Sequence, residues 1–139
     1  MKNLLSLFIC LSLVTFYSCG DDDNEDNSVK LAAKFTYLKD DAIVDSPYTT
    51  MYIYDTKNED TSKWEYNKTS HNMERTDGTV VYPKYTFLSD ISGVIGEEIE
   101  NKISYLYIAI CGVDPSQTII DKFVTNGSSI KIEKTLSSN

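Results

Sequence analysis

Between residues 29 and 37 apolar and polar side chains alternate. Val29, Leu31, Ala33, Phe35 and Tyr37 are apolar, and Lys30, Lys34 and Thr36 stand between them. A period of two places one set on one face of an extended chain, so this stretch predicts a half-buried strand. Lys39-Asp40-Asp41 supplies a polar turn. Ala42-Ile43-Val44 is a short strand that runs to Ser46-Pro47, where proline suits a strand start or an edge. Residues 48–54 are rich in β-branched and aromatic side chains, with Met51 and Ile53 on one face and Tyr48, Tyr52 and Tyr54 on the other. The most apolar run after the leader is 103–111. Tyr105, Tyr107, Ala109 and Cys111 lie on one face and Leu106, Ile108 and Ile110 on the other, which predicts a central strand buried on both sides.

The remaining stretches are weaker in pattern. Residues 55–63 are polar without period and read as a loop. Trp64-Glu65-Tyr66 opens a short strand, and the segment up to Arg75 is the least legible in the domain. Asp77-Gly78 marks a tight turn, and the apolar runs 79–82 and 85–88 predict a hairpin interrupted at Pro83. After a turn at 89–93 and the short Val94-Ile95, residues 97–102 read as one helical turn or a charged loop. Residues 118–124 and 129–136 predict a last hairpin about Asn126-Gly127, a dipeptide suited to the positive φ angles of a type I′ turn. The sum is an all-β chain: a single antiparallel β-sandwich of roughly seven or eight strands, of transthyretin-like or immunoglobulin-like kind.

The start of the chain is organised differently. Lys2 precedes an apolar run over 4–16, and small Ser18 stands before Cys19. The run is about 13 residues, short of the roughly 20 a membrane-spanning helix needs, so it predicts a cleaved export signal. Ser18-Cys19 resembles a bacterial lipoprotein signal, in which the cysteine becomes the acylated N-terminus. Phe16 and Tyr17 stand where that pattern usually has leucine and a small residue. Asp21, Asp22, Asp23, Glu25 and Asp26 follow directly, and such an acidic tether resembles the export signal that sends Bacteroidetes-type lipoproteins to the outer face of the outer membrane. The resemblance implies a membrane anchor at Cys19, stable because several acyl chains bind far more firmly than one. Two alternatives stay open. An ordinary secretory peptide would leave Cys19 a free thiol, and a tether that is only a solvated spacer would allow a periplasmic location. The predicted organisation is a signal peptide at 1–18, a lipidated cysteine and flexible tether at 19–28, and one domain at 29–139.

A second resemblance covers most of that domain. A first strand and turn, Pro47, the strand Thr50-Met51-Tyr52-Ile53-Tyr54, the pair Asp90 and Gly93, and the tyrosine-rich stretch 105–110 are similar to transthyretin-like or carboxypeptidase-regulatory-like sandwiches. An immunoglobulin-like sandwich can show the same features. Such domains are usually binding or spacing modules, and fold alone transfers no function.

Charge and cysteine count narrow the chemistry. The formal net charge is -8, and loss of Lys2 with the leader takes it to about -9, of which about five negatives lie in the tether. The domain is therefore mildly acidic, which argues against nucleic acid or anionic lipid as a partner. Of three cysteines, Cys10 leaves with the leader and Cys19 carries lipid, so Cys111 remains alone and no disulfide can brace the domain. In the most apolar strand it reads as a small buried hydrophobe rather than a redox thiol. His71 is the only histidine and has no nucleophile motif around it. Asp55, Asn58, Glu59 and Asp60 could gather oxygens for calcium, but their spacing departs from the twelve-residue loop pattern and a solvated loop is the plainer reading. No metal, cofactor or enzymatic activity is expected. Trp64, Tyr66, Tyr82 and Tyr85 lie in or beside loops and are the candidate ligand contacts, with Trp64 first among them; packing at the ends of the core is the commoner role for such rings. The expected function is a non-catalytic binding or adhesion module for glycan or protein partners. The alternative is a structural or accessory subunit of an outer-membrane uptake complex or a fimbria-like assembly, marked by a free edge strand.

Overall fold

The computed structural model describes residues 27–57, 59–101 and 103–138. The signal peptide, Cys19 and the acids Asp21, Asp22, Asp23, Glu25 and Asp26 lie outside the described residues. Within them the chain is all-β, and its only helical element is a 3-10 turn at Thr61–Lys63. No described helix is long and apolar enough to cross a membrane.

Strand β1 (Ser28–Lys39) is the axis of the fold. Its Val29, Leu31, Ala33 and Phe35 are buried, as the period of two requires. Two later strands share one of its edges, both antiparallel. These are β2 (Ala42–Asp45) along Thr36 to Lys39 and β8 (Val94–Glu100) along Ser28 to Lys34. Asp40 and Asp41 join β1 to β2 with φ angles of 50° and 64°, the left-handed pair that a two-residue turn of this hand needs and that aspartate tolerates. On the other edge of β1 lies β11 (Ser129–Ser138), running parallel to it.

The second half of the sheet centres on β9 (Ser104–Ile110). It pairs antiparallel with β10 (Gln117–Val124) on one side and β3 (Thr50–Asp55) on the other, and β7 (Tyr85–Leu88) extends β3. The halves meet where β10 touches β11 at two pairs only, Gln117 with Ser138 and Thr118 with Ser137. The resulting eight-stranded sheet closes as a half-barrel around one core, which includes Phe35, Met51, Ile53, Ile95, Ile99, Tyr105 and Leu136.

Three expectations are corrected here. First, the sheet is mixed, and residues 118–124 and 129–136 do not form a hairpin about Asn126-Gly127. Only Gly127 has a positive φ there. The chain leaves β10 and crosses to β1, with Lys30 N–H donating to the Ser128 carbonyl. The apolar positions explain the choice: Ile130, Ile132 and Leu136 fall beside Leu31, Ala33 and Tyr37, so parallel pairing lays one continuous apolar face on the core. Second, 97–102 is neither helical turn nor loop up to Glu100, but part of β8, with Ile95 and Ile99 buried opposite Ala33 and Val29. A spacing of four residues suits a strand face as well as a helix face, which is why the pattern misled. Third, Asp77-Gly78 joins β5 (Asn72–Arg75) to β6 (Val80–Val81). Pro83 then falls between β6 and β7, which belong to different sheets, so 79–82 and 85–88 are not two arms of one hairpin.

The small sheet is β4 (Trp64–Asn67), β5 and β6, in that order. It covers the outer face of β3 and β9, where Trp64 and Met73 pack with Tyr54, Leu106 and Ile108 in a second buried cluster. The two apolar faces of β9 thus have two covers. Burial of side chains of this size contributes about 1.5–3 kcal/mol each, enough to hold a small sheet in place.

Candidate functional site

The small sheet does not reach across the whole outer face. Its strands of four, four and two residues cover β3 and β9 but leave Ile120 on β10 50% exposed. Between the edge of this cover and β10 runs a groove of about 590 Å³. Its floor is Ile108 and Ile110 of β9 with Thr118 and Ile120 of β10. Trp64, Tyr66 and His71 form the wall, and Glu65, Lys68 and Ser116 are polar groups at its margin. Alternation explains the floor: inward residues of β9 enter the main core, so Ile108 and Ile110 point outward by geometry.

His71 is held tightly. It closes the turn from β4 to β5 with φ +54°, its N–H donates to the Asn67 carbonyl at 2.9 Å, and its own carbonyl accepts from Tyr54 Oη at 2.9 Å. The ring stacks on Tyr52 with centroids 4.7 Å apart and planes 13° from parallel. Tyr66 Oη lies 2.6 Å from His71 Nδ1. Burial, with a smaller contribution from neighbouring Tyr52, pushes the Tyr66 phenol up to about 12, so at neutral pH it keeps its proton. When that proton is shared with Nδ1, a neutral His71 carries its own on Nε2. The pair therefore offers fixed hydrogen-bonding edges beside an apolar floor.

Trp64 is 8% exposed. The Arg75 guanidinium sits 5.3 Å from its ring centroid, and Arg75 in turn pairs with Glu59 at 2.7 Å and with Asp77. The hydrogen bond from Arg75 holds the Asp77 carboxyl well below the usual carboxylate range. Trp64 is thus a wall residue braced from behind, and its Nε1 has no hydrogen-bond partner among the described residues.

The four aromatic candidates do not gather in one place. Trp64 and Tyr66 stand together in the groove wall. Tyr82, 69% exposed, lies past β6 and does not line the groove. Tyr85 faces the opposite side of the main sheet, stacked on Phe87 at 5.7 Å and set edge-on to Tyr105 at 6.1 Å. The floor residues Ile110, Thr118 and Ile120 had no place among the sequence candidates. For Ile110 the one signal was the apolar outer face of residues 103–111; Thr118 and Ile120, on β10, had none. Cys111 is buried, with Ser46 Oγ donating to its sulfur at 3.2 Å. The acids considered for calcium are engaged elsewhere: Asp55 accepts from Lys57 N–H, Glu59 pairs with Arg75, and Asp60 accepts from Ser62 N–H. Asn58 lies outside the described residues. Compared with known proteins, the chain matches no family model, no curated protein and no solved structure.

Proposed function

We propose that this chain is a surface lipoprotein, anchored to the outer membrane through Cys19, that acts as a non-catalytic binding module and holds a glycan segment in the groove beside the small sheet. The half-barrel is read as a strongly bent sandwich of transthyretin-like or immunoglobulin-like kind, and the acidic tether as the spacer that carries it away from the membrane. The observation that supports the binding reading is the groove itself. An apolar floor (Ile108, Ile110, Ile120) meets an aromatic wall (Trp64, Tyr66), with Glu65, Lys68, Ser116 and Thr118 able to hydrogen-bond. A pyranose ring has the matching division, with C–H faces that rest on apolar side chains and hydroxyl edges that need polar partners.

The chain contains one tryptophan, so its fluorescence reports on the wall directly. Titration with soluble gluco-, xylo-, manno- and galacto-oligosaccharides should give a saturable change for one class. Ile120→Glu, on the exposed side of the floor, should abolish it while leaving the melting temperature near wild type. No saturable change across the panel, or a change that Ile120→Glu leaves intact, contradicts the reading. One feature favours a second reading, the structural subunit: β10 and β11 pair at only two positions, which leaves strand edges open to another chain. Concentration-dependent oligomers that add β-structure would favour it.

A further inference from the structure

At the end where β1 finishes, the loops 46–49, 89–93 and 111–116 come together, and the β1–β2 turn projects beside them. The connections are direct. Tyr48 N–H donates to the Asp90 carbonyl at 3.3 Å and Ser89 N–H to the Thr49 carbonyl at 2.9 Å. A Cβ on Gly112 would collide with the Tyr48 carbonyl, and one on Gly93 with the Phe35 carbonyl. Beneath the loops lies a buried polar network. Thr49 N–H donates to Ser89 Oγ at 2.8 Å, Thr49 Oγ1 to the Ser46 carbonyl at 2.9 Å, and Ser46 Oγ to Cys111 Sγ. Gln117 holds the β1 end from both sides, accepting from Leu38 N–H at 2.9 Å and donating to the Leu38 carbonyl at 2.7 Å. Ser46, Thr49, Ser89 and Gln117 are all buried. The loop backbones are therefore fixed from below.

At this end the fixed loops expose Tyr48, Ile91 and Val113, and the adjoining ends of β1, β2 and β7 expose Leu38, Ile43 and Leu88. Leu38, Ile43, Tyr48, Leu88, Ile91 and Val113 are more than half of the exposed large apolar side chains among the described residues. Tyr48 is 53% exposed at a φ of +57°, a backbone conformation costly for an aromatic residue that the surrounding hydrogen bonds must hold in place. Ile91 is 72% exposed. Single exposed apolar residues are ordinary; a gathering on loops and strand ends at one pole marks an interaction surface. The opposite pole, where Asn27 and Ser28 join the domain, is roughly 36 Å away along the twelve residues of β1.

Charge decides between occupants. Asp40, Asp41 and Lys39 sit at the β1–β2 turn, Asp45 on β2, Asp90 beside Tyr48 and Asp114 beside Gln117, and the remaining cation, Lys34, is paired with Asp45. An anionic lipid surface is repelled by such a rim, and two copies of this pole would set like charges against each other. We infer that the pole built on Tyr48, Ile91 and Val113 is a docking surface for a protein partner that offers an apolar centre ringed by lysine or arginine. This goes beyond the groove and does not depend on it.

The probe is a phage-displayed library of random twelve-residue peptides, selected on the full-length protein in mild detergent. The enriched peptides should carry a short apolar run flanked by Lys or Arg. One of them, measured by fluorescence anisotropy, should bind at least about tenfold more weakly to Tyr48→Asn and to Ile91→Asp. Asparagine tolerates the left-handed backbone at position 48 and both residues are exposed, so each variant should keep the wild-type melting curve. Asp40→Asn with Asp41→Asn should weaken binding and flatten its salt dependence. Ile120→Glu, in the groove, should leave it unchanged, which separates failure of the tip from failure of the glycan reading. Peptides that are acidic, or whose binding survives both tip variants, overturn the inference, as does a selection that returns no tip-dependent sequence. So does tip-dependent binding to phosphatidylcholine–phosphatidylglycerol vesicles, which would make the surface lipid-facing. Dimers lost on Ile91→Asp would make the occupant a second copy.

Discussion

The two faces of β9 meet very different covers. Inward, Tyr105, Tyr107 and Ala109 share one core with inward residues of β1, β3, β8 and β11, among them Phe35, Ile53, Ile95, Ile99, Ile132 and Leu136. Outward, Leu106 and Ile108 are covered by strands of two to four residues, and this sheet stops before β10. The inner cover is long-range and complete, so it holds the fold; the outer one is local and partial, so it leaves a groove. A strand apolar on both faces requires two covers, and here the second cover falls short and leaves the groove.

The largest expected effect is on the inner side. Phe35→Ala removes a fully buried ring and should cost about 3–5 kcal/mol, enough to bring a domain of this size near its unfolding limit. Urea denaturation should show the loss at unchanged m-value. Trp64→Ala on the outer side should cost about 2–3 kcal/mol, less than a sealed cavity would, because the groove admits water to the space left. Equal losses in the two variants would erase the distinction between the covers.

Alkaline pH sharpens it further. Burial raises Tyr54, Tyr105 and Tyr107 above the ordinary tyrosine value near 10 and pushes Tyr66 up to about 12. The folded state therefore keeps protons that the unfolded chain has released. This contribution is complete below pH of about 10 and is lost as pH rises above it, through about 12 for Tyr66 and higher still for the other three. Ultraviolet titration of tyrosinate together with circular dichroism should show Tyr66, at the groove, ionising before the fully buried Tyr54, Tyr105 and Tyr107, which ionise only as the fold opens. The smallest effect belongs to Arg75→Gln. Its pairs with Glu59 and Asp77 are at the surface, so the melting temperature should barely move, and the visible change should be in Trp64 fluorescence as the cation leaves the ring.

Much of the inner architecture was legible in the sequence. The alternation at 29–37, the face pattern of Met51 and Ile53, and the doubly apolar run 103–111 became β1, β3 and β9 because period two is a local property. Pairing was not legible in the same way. Whether β11 joins β10 or β1 depends on which neighbour offers matching apolar positions, and Ile130, Ile132 and Leu136 matched β1 over a long sequence separation. Asn126-Gly127 gave the opposite local signal and lost. The site was half visible. Trp64 and Tyr66 stood out as aromatic residues near loops, whereas Ile110 and Ile120 looked like any strand residues until the shortness of β4, β5 and β6 left them uncovered. Tyr85 shared the same local signature as Trp64 and went to the other side of the sheet, since nothing local says which face of a strand meets the larger cover.

Native-state hydrogen exchange of β5 against β9 tests the central claim most directly. β5 is the middle strand of the outer cover and β9 the middle of the main sheet. If the small sheet is a separate and weaker cover, the β5 amides should exchange through a local opening at lower free energy, while the β9 amides exchange only with global unfolding. Equal protection of the two strands, falling together with urea, would contradict the account and make groove and core one cooperative unit.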